Sequence, residues 1–305
     1  MSLQDPSLQN NNILGIVFML MAVLAGLITS LIIKDLSPIA TLMVLLSLRF
    51  LFSIPFLTFG AFYKRGKDLL RVTRWDRLIM RIVAGQIGIV FWFLSVTHTT
   101  LGQATALFQS SAIFVTILSP LILKEKVGIY RGSAVFLGLV GIIMITNPFA
   151  SDFNLGTVYG IIAAISGAIL VVLLRLLGRT EEPVTVALWH NLVGAVGYPI
   201  VMILLGDALI FTDIVASSLL LMCFFGLAAS FVQIGFTSAY RYGEAAVLAP
   251  IRYLSVPAAA FLGWLIWAEA LTITEIAGMF IVVGACVFIS WREYHLNKAS
   301  AAKPV

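Results

Sequence analysis

Arg252 stands inside the apolar run EAAVLAPIRYLSVPAAAFLGWLIW, about eight residues from its start and so roughly 12 Å deep at the helical rise of 1.5 Å per residue. An arginine at that depth costs at least ~2.5 kcal/mol to insert, so it must be paired or face water. Two chemistries are open to it: contact with an anionic substrate, or a lock onto Glu244 or a backbone carbonyl. Arg49 and Arg81 also fall within apolar runs. Thr105, Gln109, Ala112 and Thr116 recur at i, i+4, i+7 and i+11, which puts two hydroxyls and an amide on one helix face. The hydroxyls can bond their own helix, as can Ser110 and Ser111, whereas the Gln109 amide needs a partner from another helix or a wet cavity. Ser230, Gln233, Thr237 and Tyr240 form a second such stripe. Trp92 serves either as a stacking wall for a ring or as packing. His190 and Asn191 bond either substrate or a neighbouring helix, and His98 reads as an interfacial histidine.

This is binding chemistry, not covalent catalysis. The sequence holds no cluster with metal-ligand spacing, no nucleophile elbow and no phosphate-cradling glycine loop. The expectation is therefore a protein that is not an enzyme, with no metal and no cofactor. No carboxylate stands at the centre of an apolar run, so the proton relay of an intramembrane glutamate is missing.

The elements that must position these residues follow from composition. Of 305 residues, 61% are hydrophobic and 11% charged, and mean hydropathy is +1.06. A soluble domain is about a quarter charged, so most of these apolar residues must face lipid. Apolar runs lie near 13–33, 38–62, 78–99, 102–123, 132–147, 155–176, 184–205, 214–240, 245–267 and 276–291. They predict an all-α membrane protein with ten transmembrane helices.

The basic residues orient it. With the N-terminus inside, the inner loops hold Lys64, Arg65, Lys67, Arg71, Arg74 and Arg77, then Lys124, Lys126 and Arg131, then Arg175, Arg179 and Arg241, and the tail Arg292, Lys298 and Lys303. The outer loops hold Lys34 alone. This positive-inside bias predicts a multi-pass protein of the bacterial inner membrane with both termini cytoplasmic. It also accounts for a pI of 9.3 without nucleic acid. The N-terminal tail lacks the pattern of a removable signal peptide. Cys223 and Cys286 fall in apolar runs and read as packing residues.

At an offset of 141 residues, LGIVFMLMAVLAG from Leu14 aligns with LGTVYGIIAAISG from Leu155. Lys34 then meets Arg175, Arg49 meets His190 and Trp92 meets Gln233. Two halves of five helices each must cross the membrane in opposite senses, an architecture of alternating-access transporters. The expected organisation is a cytoplasmic tail at 1–12, a first repeat at 13–147, a second at 155–291 and a C-terminal tail at 292–305. Gly85, Gly88, Gly138, Gly141, Gly278 and Gly284 read as small-residue helix contacts.

Two stretches, ATALFQSSAIFVTILSPLILKEKVGIYRGSAVFLGLVGIIMI (Ala104 to Ile145) and EAAVLAPIRYLSVPAAAFLGWLIWAEALTITEIAGMFIVVGACVFI (Glu244 to Ile289), resemble the paired EamA domains of the drug/metabolite transporter superfamily. The resemblance extends over essentially the whole chain. The junction at Glu125, its counterpart Glu269, and the run Ala249 to Tyr253 carry it, while Lys124 and Ala268 replace the usual glycines before the two glutamates. It implies that helices one to four and six to nine enclose a central cavity, which would place Trp92, Gln109, Gln233, Arg252 and Tyr253 on it. Arg49, Glu125, Glu244 and Glu269 are read as gating or structural.

The expected function is secondary transport of a small anionic or zwitterionic metabolite, aromatic ones included, such as an amino acid or a nucleoside- or flavin-like compound. The expected partners are that molecule and the lipid bilayer, with the protein a monomer or homodimer. The alternatives are a proton-coupled multidrug exporter and, from another class, a non-transporting membrane scaffold or enzyme. On this reading Arg252→Ala abolishes substrate binding and leaves expression intact.

Overall fold

The computed structural model describes residues 12–123, 129–146, 154–177, 180–243 and 245–301, and in these residues the regular structure is helical. Six helices are long and apolar enough to cross a bilayer. They are α1 (Asn12–Leu36), α2 (Leu42–Arg65), α3 (Trp75–His98), α7 (Leu155–Leu177), α8 (Pro183–Leu204) and α10 (Leu219–Tyr242). Between and after them lie α4 (Leu101–Gln109), α5 (Ser111–Leu123), α6 (Ile129–Thr146), α9 (Ala208–Ser217), α11 (Ala245–Tyr253), α12 (Ser255–Trp267) and α13 (Ile273–Ala301).

Local chemistry sets several of these boundaries. Thr41 starts α2 by accepting from the Val44 N–H. Thr100 and Gln103 form a reciprocal capping box at the head of α4, which satisfies amides that the helix itself cannot. Ser and Thr side chains inside the helices mostly bond a carbonyl three or four residues back, as Thr105 does to Leu101 and Thr116 to Ala112. These hydroxyls are therefore not free for ligand.

Four element boundaries depart from the sequence expectation. The runs 102–123 and 245–267 are each two helices, broken at Ser110 and Leu254. The run expected at 214–240 begins at Leu219, because the non-helical backbone of Ser218 separates it from the short α9. The last helix continues to Ala301, well into what was expected to be a tail.

The two halves repeat. α3, α4, α5 and α6 each begin 144 residues before α10, α11, α12 and α13, as Trp75 to Leu219 and Leu101 to Ala245 illustrate. The offset of 141 holds only for the earlier elements, as in Leu36 and Leu177, or Leu42 and Pro183. Trp92 therefore corresponds to Phe236 and not to Gln233. The extra residues sit between α8 and α10, where the second half carries α9.

Packing obeys the same two-fold relation. α3 lies along α7 as α1 lies along α10, while α2 packs on its counterpart α8 and α6 on its counterpart α13. At the α6–α13 crossing, a Cβ on Gly141 would lie 2.9 Å from the Gly278 carbonyl oxygen, so only glycine permits that approach. Gly284 meets nothing within 4 Å and is not such a contact. Ile13, Phe59, Leu204, Ile273 and Phe280 are exposed apolar residues, as expected of a surface whose solvent is lipid.

Candidate substrate cavity

The two helix breaks face each other across the halves, and one side chain joins them. Arg252, in the last turn of α11, donates from Nε to Gln109 Oε1 at 2.6 Å, from Nη2 to Ser111 Oγ at 2.8 Å and from Nη1 to the Tyr240 hydroxyl at 3.3 Å. Its guanidinium also lies 5.6 Å from the Phe108 ring and 5.9 Å from the Phe236 ring, within cation–π range. Gln109 returns the contact, its Nε2 donating to the Arg252 carbonyl at 2.9 Å and to Ser255 Oγ at 2.6 Å. A break in a buried helix frees carbonyls that must find donors. Gln109 supplies one of those donors and Arg252 holds the opposite break.

Between the halves is a cavity of about 180 Å³, lined from α1, α2, α3, α4, α7, α8, α10, α11 and α12. Arg49, Arg81 and Arg252 all line it, with His190, Gln109, Gln233, Trp92 and Tyr240. Among the described residues, no Asp or Glu lines it. Trp92 and Phe108 form an aromatic wall, their rings 4.9 Å apart.

Arg81 and Arg49 differ from Arg252 in how they are held. Arg81 donates one bond, from Nη2 to Gln233 Oε1 at 3.0 Å, while its Nε and Nη1 have no acceptor. Arg49 Nη1 also has none. Both side chains are almost wholly buried, 3% exposed for Arg49 and 1% for Arg81. His190 lies against the same group: a Cβ on Gly85 would lie 2.8 Å from His190 Cε1 and 3.3 Å from Arg81 Nη1. Glycine at 85 is what lets the imidazole and the guanidinium approach together. Phe50 backs both sides, with Arg49 Cζ 4.7 Å above its ring and the His190 ring edge-on at 5.5 Å. Behind His190, Gln86 Nε2 donates to the His190 carbonyl at 2.9 Å, and the Tyr198 hydroxyl donates to Gln86 Oε1 at 2.9 Å.

Of the expected site residues, Trp92, Gln109, Gln233, Arg252 and His190 come together on the cavity. Tyr253 does not: it is buried among Ala106, Leu107, Val256 and Met279. Asn191 does not either, since its Oδ1 accepts from Ser53 Oγ at 2.9 Å and its Nδ2 donates to the Ala187 carbonyl at 2.8 Å. Each follows a cavity residue by one position, which turns a helical side chain by about 100°. Arg49, expected as gating or structural, lines the cavity. Arg81 falls only three residues inside the run expected at 78–99, about 4.5 Å from its start, so the depth argument that singles out Arg252 does not single out Arg81. Glu125 and Glu244 lie outside the described residues.

Polar ties close both ends of the bundle. Where α1 ends, Lys34 pairs with Glu269 and donates to the Thr99 carbonyl at 2.7 Å, while Glu269 Oε2 accepts from the Leu101 N–H at 2.8 Å. Where α3 begins, Glu181 accepts from the N–H groups of Thr73 and Arg74, both at 3.0 Å, and Arg241 pairs with Glu182. Glu269 is thus both an N-cap for α4 and an ion-pair partner of α1.

The sequence matches the model of the EamA-like transporter family twice, over residues 11–147 and 154–291. It is 25% identical to the riboflavin transporter of Brucella anthropi, over 78% of this chain and 84% of that protein. It is 27% identical to the S-adenosylmethionine uptake transporter of Rickettsia prowazekii, over 80% and 81%, and 27% identical to the pseudopaline exporter CntI of Pseudomonas aeruginosa, over 70% and 74%. A crystal structure 15% identical in sequence superposes with a TM-score of 0.61, covering 92% of this chain and 98% of its own. That likeness is one of fold. The family and these relatives are transporters and not enzymes. With two family repeats over its two helical halves and a cavity between them, the chain belongs to the EamA-like transporter family.

Proposed function

We propose that the protein is a ten-span secondary transporter of the bacterial inner membrane, with both termini cytoplasmic. It moves a small anionic or zwitterionic, ring-bearing metabolite by alternating access of its two halves. The observation that carries this reading is the lining of the cavity: three buried arginines and, among the described residues, no carboxylate. Buried charge must be compensated, and in a cavity open to ligand the substrate is the remaining source of negative charge. Trp92, Phe108 and Phe236 supply faces on which a ring can stack. The relatives named for riboflavin, S-adenosylmethionine and pseudopaline support small metabolites as the cargo class. A proton-coupled exporter of lipophilic cations fits less well, because three cations in the cavity repel such a cargo.

Flux tests the reading. In proteoliposomes, saturable uptake and counterflow are expected for anionic or zwitterionic aromatic metabolites, and not for lipophilic amines. No saturable flux of any compound would favour a scaffold.

In this orientation the Lys34–Glu269 pair lies on the outer face. Charged hydrogen bonds of this kind are worth about 1.5–3 kcal/mol, so Glu269→Gln is expected to raise the population open to the outside by roughly tenfold. With Cys223 and Cys286 replaced by alanine, a cysteine introduced by Gly26→Cys reports the change. A membrane-impermeant thiol reagent added outside should label Gly26→Cys about tenfold faster when Glu269→Gln is present. An unchanged rate would leave Glu269 as a helix cap alone.

A further inference from the structure

Three arginines line one cavity, but only one of them is hydrogen-bonded into the scaffold on all three nitrogens. Arg252 is saturated by Gln109, Ser111 and Tyr240. Arg81 and Arg49 keep three nitrogen atoms without acceptors, in side chains that are almost wholly buried. Along α10, Gln233 marks the Arg81 group and Tyr240 the Arg252 group, about 10 Å apart at the rise of an α-helix, with Phe236 between them.

Resting on the anionic-substrate reading above, we propose that Arg49, Arg81 and His190 form the subsite for a doubly charged oxyanion group of the substrate. The chemistry is that of a phosphomonoester or a dicarboxylate. Arg252 is then a positioning residue, a strut between the helix breaks, whose cation and neighbouring rings form the far wall.

Three features converge on the subsite. A purely structural arginine is expected to arrive with its acceptors, because an unpaired buried charge destabilises the fold. Here two guanidinium groups flank the same edge-on Phe50–His190 pair with donors unfilled and no carboxylate among the described cavity residues. Gly85 keeps free the space where a Cβ would press on both His190 and Arg81. Finally, the donors come from separate elements, Arg49 from α2, Arg81 from α3 and His190 from α8. Such a set suits a group with several acceptor oxygens better than a single carboxylate.

The test uses the full-length protein in nanodiscs, with small aromatic probes and two readouts, binding by calorimetry and thermal stability without ligand. Phenyl phosphate or phthalate is expected to bind at least about tenfold more tightly than benzoate, a difference of about 1.4 kcal/mol, and benzylamine is expected not to bind. Whichever dianion binds more tightly assigns the phosphoryl or the dicarboxylate form. Arg49→Met and Arg81→Met should each weaken that binding by about tenfold or more. Without ligand each should leave the melting temperature unchanged or raise it, because unfilled buried donors are removed. Arg81→Lys should retain part of the binding. A lower melting temperature with binding intact in the methionine variants would make these arginines structural and overturn the subsite. Benzoate binding as well as the dianions, or neither dianion binding, would also overturn it while leaving anionic transport standing if benzoate is carried. Preferential binding of benzylamine would remove the transport reading itself. The probe series on the unmodified protein decides the matter even if a methionine variant cannot be purified folded.

Discussion

Gly26→Trp is expected to stop transport, lowering flux by on the order of 100-fold, while the protein remains folded. Gly26 lies on the cavity face of α1, and a Cβ added there meets no atom within 4 Å. An indole at this position therefore grows into the cavity of about 180 Å³ and not into a neighbouring helix. Excluding substrate from that space at a cost of about 3 kcal/mol gives the hundredfold loss. The fold should tolerate the change, since replacing a mid-helix glycine removes a backbone-entropy penalty of up to about 1 kcal/mol. The contrast is Gly235, where an added Cβ would lie 2.8 Å from Ala22 Cβ and force α10 off α1. Flux in proteoliposomes and melting temperature, measured together for Gly26→Ala, Gly26→Trp and Gly235→Leu, should separate the cases. Gly26→Ala should transport, Gly26→Trp should be stable and inactive, and Gly235→Leu should be unstable. A Gly26→Trp protein that transports normally would place the pathway elsewhere.

Arg252→Met should destabilise the protein by about 2–4 kcal/mol, the scale of leaving buried polar groups without their charged partner. Gln109 Oε1 loses its donor at 2.6 Å and Ser111 Oγ its partner at 2.8 Å, at the point where two broken helices meet. The depth argument from sequence alone predicts lost binding with intact expression. The geometry changes that expectation: the melting temperature and the yield fall first. Gln109→Ala should act in the same direction, and the pair should not be additive, because each substitution removes the same bond. A double-mutant cycle on melting temperature is the measurement. Additive effects would mean that Arg252 and Gln109 act independently, and the strut would then carry no load. The stability response of Arg81→Met makes the comparison sharp, since the same chemical change in the same cavity should lower the melting temperature at Arg252 and leave it unchanged or raise it at Arg81.

Some of this was legible in the residues. A charge deep in an apolar run is conspicuous because its insertion cost is large, so Arg49 and Arg252 could be singled out with no structure, whereas Arg81 lies near the start of its run. Hydropathy delivered the spanning helices α1, α2, α3, α7, α8 and α10 for the same reason. Self-similarity from Leu14 and Leu155 revealed two halves, because the first helices of each repeat keep the same spacing.

Other features were hidden by equally definite physics. The change of offset from 141 to 144 comes from extra residues between α8 and α10, a short apolar stretch that hydropathy merges with the span following it. The breaks at Ser110 and Leu254 fall inside runs that hydropathy reads as single spans, although the first lies in the polar stretch Gln109 to Ser111 and the second just before Pro257, which offers no N–H to the Tyr253 carbonyl. His190 and Asn191 could not be assigned to different faces, because α8 is apolar around most of its surface and leaves no stripe to read.

The sequence by itself determined that this is a helical membrane protein built from two repeats, with arginines where charge is costly and no carboxylate beside them in the spans. Those properties follow from transfer free energies and chain periodicity, which act residue by residue. Only the tertiary structure decided which arginine is tied and which is free. Hydrogen bonds have a reach of about 3 Å, and Gln109 and Arg252 are 143 positions apart along the chain, so their partnership exists only once the two halves have packed.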